Sequence, residues 1–199
     1  MLAQATTITF PTTAFPPLAL GFFGLGTGYL IYGPQEILGF PRRSRGIDLT
    51  TGIWGVWMPG FMQFLTGMYL FAALVLFHSL SAPPIYMAAL AFSAYGVHWF
   101  AIGMGRALGG DARPNAYMCV AFFLISLLGT ISFFHNGDNP VGGLFIGLMC
   151  VYVAEFFASL GIDPAERALG FFHLAVGLWL MYLTFAVTLN FSAGYSLPV

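Results

Sequence analysis

The chain has 199 residues, of which 59% are hydrophobic and 7% charged, with a net charge of −1. Soluble domains carry roughly 25% charged residues, so this composition excludes a soluble globular protein and reads as a membrane protein. The near-zero net charge also excludes the basic footprint that a nucleic-acid partner requires.

A helix needs roughly 20 apolar residues to cross a bilayer. Six segments qualify, at about 17–40, 52–78, 84–105, 115–135, 141–161 and 167–191. Short loops join them, which predicts an all-α polytopic membrane protein: one six-helix transmembrane bundle over residues 1–199. The first fifteen residues hold no basic group and no small-residue cleavage site after a short apolar core, so no cleaved signal peptide is expected.

The first span carries Gly24 and Gly28, and its "GLGTG" lies inside an apolar helix with no preceding strand, which rules out a dinucleotide fingerprint. In the second span Gln63, Thr66 and Gly67 share one helical face. "SAPPI" is the turn before the third span, which contains Ser93, Tyr95, His98 and Trp99. "ARPNA" precedes the fourth, where Ser126, Gly129 and Thr130 share a face. "HNGDNPVGG" places Asn139 and Pro140 at the start of the fifth span. "GIDPAERALG" offers Asp163 as N-cap, Pro164 in the first turn and Glu166 three residues on for the sixth, which contains His173 and Tyr182. Small residues recur at helical spacing in every span, as in Gly60 and Gly67, Gly96 and Gly103, Gly143 and Gly147, and Gly170 and Gly177, which lets helices approach closely in lipid.

The polar groups inside the spans are nearly all neutral hydrogen-bonding groups, with no Lys or Arg in mid-span. A bare carboxylate loses several kcal/mol or more of hydration in such an interior unless a cation or a full set of donors replaces its water. A solute crossing here is therefore small and neutral, or protonated before it passes. Gln63, Thr66, Trp99, Ser126 and Thr130 are the candidate path residues. Glu155, the one acid well inside a span, has two readings: proton handling together with His98, or snorkelling to the interface and pairing with Arg167.

His98 and His173 sit on different helices, as axial haem ligands would, yet no second in-span pair exists and no cofactor is expected. Cys119 and Cys150 fall within spans and read as small apolar side chains, forming neither a disulfide nor a metal site. No combination of nucleophile, base and orienting group is visible, so no enzymatic activity is expected.

Several segments resemble the acetate uptake transporter family, of the SatP/YaaH type. "GFMQFLTGMY" resembles its second-span segment with a Gln and a Gly four residues on, here Gln63 and Gly67. "FSAYGVHW" is similar to its Phe-x-x-Tyr-Gly-x-x-Trp signature in Phe92, Tyr95, Gly96 and Trp99. "ARPNAYM" matches its Pro-Asn start of span four, and the last span keeps Gly170, Gly177, Tyr182 and Asn190 in register. The family's entrance motif survives in Pro17, Leu18, Leu20 and Phe23, with Phe15 and Ala19 replacing a Pro and a Gly.

The resemblance implies a bacterial inner-membrane channel for acetate-like monocarboxylic acids, assembled as a homo-oligomer, in the family a hexamer. It implies a hydrophobic constriction at Tyr95, Phe23 and, within a residue or two of register, Cys150 or Val151. The alternative is a non-transporting structural subunit descended from the same family, which the worn entrance motif and the load of 22 Phe and 9 Tyr favour.

All basic charge is arginine: Arg42, Arg43, Arg45, Arg106, Arg113 and Arg167 lie in or beside loops after odd-numbered spans. The positive-inside rule then puts the odd loops in the cytoplasm and the termini outside, the reverse of the family's habit. In a Cys119→Ala/Cys150→Ala background, a cysteine at Ser81 should react with an impermeant maleimide in intact cells and one at Ser44 should not. Labelling at position 44 alone would reverse the orientation.

Overall fold

A computed structural model describes residues 17–199. The expectation about a leader and the Phe15 position of the entrance motif lie outside these residues. Among the described residues there are six long helices: α1 (Leu18–Leu38), α2 (Arg45–Leu76), α3 (Pro83–Leu108), α4 (Arg113–His135), α5 (Asn139–Ser159) and α6 (Asp163–Ala193). Helices α2 to α6 are long and apolar enough to cross a membrane. The 21-residue α1 is long enough but is diluted by glycines, tyrosines and the Pro34–Gln35 pair.

The helix starts follow from local chemistry. Ser44 caps α2 by accepting the Ile47 N–H at 3.3 Å, and Asp138 caps α5 by accepting that of Val141 at 3.0 Å. Prolines in the first turn open α3 to α6, where the missing N–H leaves no bond unmade. Asp163 lies inside the first turn of α6 with no side-chain cap bond, so the expected capping box is not formed. Its carboxylate and that of Glu166 still favour the helix start through the dipole. Gly109 ends α3 at φ +73°, a left-handed conformation that a side chain would strain.

Helix α2 begins seven residues before the expected span, because its first turns are polar. Hydropathy reports immersion in lipid, not helicity. Two stretches of α2, Val56–Phe61 and Ala72–Leu76, widen to π-helical turns. The first contains Pro59, whose ring and missing N–H cannot be fitted into a regular α-helical ladder.

Close backbone contacts run from each helix to the next, and α1 packs most extensively along α6, which closes the series. The six helices therefore form a ring. Glycines set its tightest seams. A Cβ at Gly103 on α3 would stand 2.6 Å from the Gly52 carbonyl oxygen and 2.7 Å from the Val56 backbone nitrogen of α2. Gly143, by contrast, faces open space, so only Gly147 of that expected stripe touches a neighbouring helix, at Val176.

Gly103→Leu would press a side chain on backbone atoms that cannot rotate away. It should destabilise the fold by about 1–3 kcal/mol or more, the usual range for overpacking, whereas Gly143→Leu should be near neutral. Thermal unfolding of the two variants in detergent checks the contrast.

Candidate functional site

The ring encloses two cavities. One lies at the end that carries the arginine-bearing loops, has a volume of about 480 Å³ and is lined by polar and aromatic groups, including Tyr29, Glu36, His98, Trp99, Glu155 and His173. The other lies at the opposite end, measures about 220 Å³ and is almost wholly apolar, with Phe22, Phe92, Tyr95, Phe145 and Leu148 in its wall. No described residue lines both. Between them sits a buried aromatic layer in which Tyr95 stacks on Tyr152 at 5.9 Å and Tyr29 lies 5.9 Å from Trp99.

The polar cavity is built from all sides of the ring. His98 of α3 presents Nε2 at 3.8 Å from a carboxylate oxygen of Glu155 on α5, and its Nδ1 is 3.5 Å from the Tyr152 hydroxyl. His173 of α6 bonds Glu36 of α1 through Nδ1 at 2.5 Å while its ring stacks on Tyr29. Nearer the mouth, Arg106 reaches inward from the last turn of α3. It lies over the Tyr32 ring, bonds Asp48 at 3.0 Å and also bonds Gln35, whose amide donates to Thr51 at 2.9 Å. Helices α1, α2 and α3 are tied together there.

Apart from an acid at its rim, the apolar cavity has one strongly polar group in its wall. Gln63 of α2 is 1% exposed, and neither its Nε2 nor its Oε1 has a hydrogen-bond partner. The Tyr95 hydroxyl is turned aside to Ser126 at 2.9 Å. Asp138 stands at the rim, where burial pushes its carboxyl above the usual range and the Val141 N–H partly opposes that rise.

The structure brings Gln63, Tyr95, Trp99, His98 and Glu155 to the cavities, and sets the other expected residues apart. Thr66 is buried on its own helix, bonding the Met62 carbonyl at 2.8 Å. Thr130 bonds the Ser126 carbonyl at 3.0 Å, and neither threonine lines a cavity. Ser126 lines neither cavity and is joined to one only by its hydrogen bond to the Tyr95 hydroxyl. Phe23 is a correction: it is 41% exposed on the outer face, and its neighbour Phe22, 3% exposed, occupies the interior against Phe92. One residue of register turns a helical side chain by about 100°. Likewise Leu148 lines the apolar cavity, whereas Cys150 and Val151 line neither. Glu155 is buried beside His98, so it neither snorkels nor pairs with Arg167.

Sequence reasoning missed two features. Glu36 and His173 are 137 residues apart, and no local pattern links them. Arg106 was legible only as a loop cation, yet its side chain is 11% exposed and lines the polar cavity. The signal available was its place one turn inside the Gly109 stop, from which a long side chain can fold back over the bundle.

No protein-family profile and no curated protein matches the chain. Among solved structures, that of the bacterial acetate channel SatP superposes with a TM-score of 0.75 at 18% sequence identity, covering 94% of this chain and 99% of that one. The resemblance read from the sequence thus holds at the level of the fold, that of an all-helical integral membrane protein.

A buried amide with neither atom paired costs about 1–3 kcal/mol in desolvation. Gln63→Leu keeps the volume and removes both orphaned atoms, so it should raise the thermal midpoint, at about 2–4 °C per kcal/mol for a chain of this size. Differential scanning measurements in detergent test this. A lowered midpoint would mean that the amide is satisfied in the folded protein.

Proposed function

We propose that the protein is a membrane channel that passes a small monocarboxylic acid in its neutral, protonated form, or a similar small neutral solute, between the two cavities. All six helices cross the membrane in this reading. The narrow point is the aromatic layer at Tyr95, with Phe22 and Leu148 taking the places expected of Phe23 and of Cys150 or Val151. The channel sits in a bacterial inner membrane as a homo-oligomer.

The observation that carries the reading is the amide of Gln63, its NH2 and its carbonyl oxygen both unpaired in the wall of a cavity that is apolar apart from Tyr95 and the rim acid Asp138. A protonated carboxyl group is its complement: its O–H donates to Oε1 and its C=O accepts from Nε2. A carboxylate, which only accepts, would leave Oε1 unsatisfied and would face the acid at the rim, Asp138. The likeness to an acetate channel at the level of the fold supports the same class of solute.

The polar cavity then supplies the change of charge. His98 and Glu155 lie side by side in its wall, and Nε2 of His98 has no hydrogen-bond partner. An anion entering from the arginine end takes a proton from the His98–Glu155 pair, which regains one from water in the polar cavity, and goes on uncharged past Trp99 and Tyr95. In the opposite direction the acid gives the proton back. Hydrated ions are stopped because the few hydroxyl and indole groups of the aromatic layer cannot replace a full shell of water.

The alternative, a structural subunit of a larger membrane complex, shares the fold but needs no path. Reconstitution in liposomes separates the two. Tyr95→Ala and Phe22→Ala should raise the flux of acetate-sized acids or admit larger ones, while costing about 3–5 kcal/mol of packing, and the outward Phe23→Ala should leave flux unchanged. If neither the parent nor any folded variant moves any monocarboxylic acid from formate to hexanoate, the protein is a scaffold.

A further inference from the structure

Resting on the channel reading, we infer that the apolar cavity is a binding site for monocarboxylic acids larger than acetate, with a hydrocarbon part of about four to six carbons, held by the carboxyl group at Gln63. The volume and the wall chemistry carry this. A dry apolar cavity of about 150 Å³ accepts a benzene ring, and this one measures about 220 Å³. There is room for six carbons and a carboxyl group together.

Acetic acid has a single methyl group to bury. Bound at Gln63 it would leave most of the cavity unfilled and would forgo contact with Phe22, Phe92, Phe133 and Phe145, all of which line the space. Those rings offer no hydrogen bond, and Phe133 and Phe145 are already stacked on each other at 5.3 Å, a preformed apolar wall. The Tyr95 hydroxyl is engaged by Ser126 and so adds no second polar anchor. A hydroxy or dicarboxylic acid would bury its additional polar group among phenyl rings, with only the rim carboxyl of Asp138 to meet it. The site thus calls for one carboxyl group and an unbranched, branched or aromatic hydrocarbon tail.

The expected signature is a slope. Each methylene moved from water into such a wall favours binding by about fourfold, so affinity should climb from acetate through butanoate to hexanoate, with benzoate near the top. It should fall again once the tail outgrows the cavity. Binding is measured calorimetrically at acid pH on the protein in nanodiscs, with empty nanodiscs subtracted for partition into lipid, alongside liposome flux of the same acids. Gln63→Leu should abolish the specific component at every length. Ala91→Leu, which pushes a side chain into the cavity, should weaken hexanoate far more than acetate.

Equal affinity for acetate and hexanoate, or a slope that persists in Gln63→Leu, would overturn the inference. If acetate is transported and binding shows no dependence on tail length, the size class is wrong and the channel stands. If no acid of any length binds or moves, the channel reading itself falls.

Discussion

The arrangement depends on the free energy that a charge loses on leaving water. An isolated carboxylate in an apolar interior is unfavourable by several kcal/mol even after the protein relaxes, and the layer of Tyr29, Tyr95, Trp99 and Tyr152 holds no cation to offset that loss. Apart from Asp138 at the rim of the smaller cavity, the ionisable groups that line the two cavities therefore gather at one end of the molecule. Glu36, Glu155, His98, His173 and Arg106 all face the larger cavity, and each has a named partner within it or at its wall. The smaller cavity keeps one neutral amide and an acid at its rim. In the proposed channel a solute that visits both would change protonation state between them, and the division of polarity would be a filter with no moving part.

The ring architecture follows from how helices associate in lipid. Apolar side chains gain nothing there by leaving lipid for one another, so close packing must come from backbones that nearly touch. Gly103 against Gly52 and Val56 is such a seam, and it holds α3 to α2 along the wall that carries His98 and Trp99. The opposite members of the ring meet only through side chains. That is why aromatic rings dominate the interior: a phenyl or indole group spans the gap between helices whose backbones stay apart, with little loss of rotamer freedom. In the proposed channel the same large rings would close the path and build the fold, so a change at Tyr95 would act on both.

Much of this was legible in the sequence. The six apolar segments gave the helices to within a few residues, except where the polar first turns of α2 hid its start. Gln63, Tyr95, Trp99, His98 and Glu155 stood out as polar or amphipathic groups in apolar context, and all five line a cavity or its wall. What failed depended on rotation or distance. Phe22 and Phe23 are indistinguishable by composition, and only the helix phase assigns one to the interior. Thr66 and Thr130 looked like path residues, but in a membrane helix a threonine hydroxyl readily satisfies itself on the carbonyl four residues back, as both do. The Glu36–His173 pair joins the first helix to the last, a contact that no window along the chain contains.

Gln63 is where the molecule departs from what stability alone would select. Every other uncharged side chain in the wall of the small cavity is apolar or, like Tyr95, already hydrogen-bonded, and a leucine would fill the position of Gln63 without leaving polar atoms unpaired. Folding alone gives no reason to keep an amide there. Packing does not require it either, since no neighbouring helix supplies a partner for either atom. A scaffold subunit would have no use for such a group, because a surface that only holds helices together is improved by removing it. A path for neutral acids needs one polar station inside the apolar reach, weak enough to release what it binds, and a single amide flanked by phenyl rings meets that requirement.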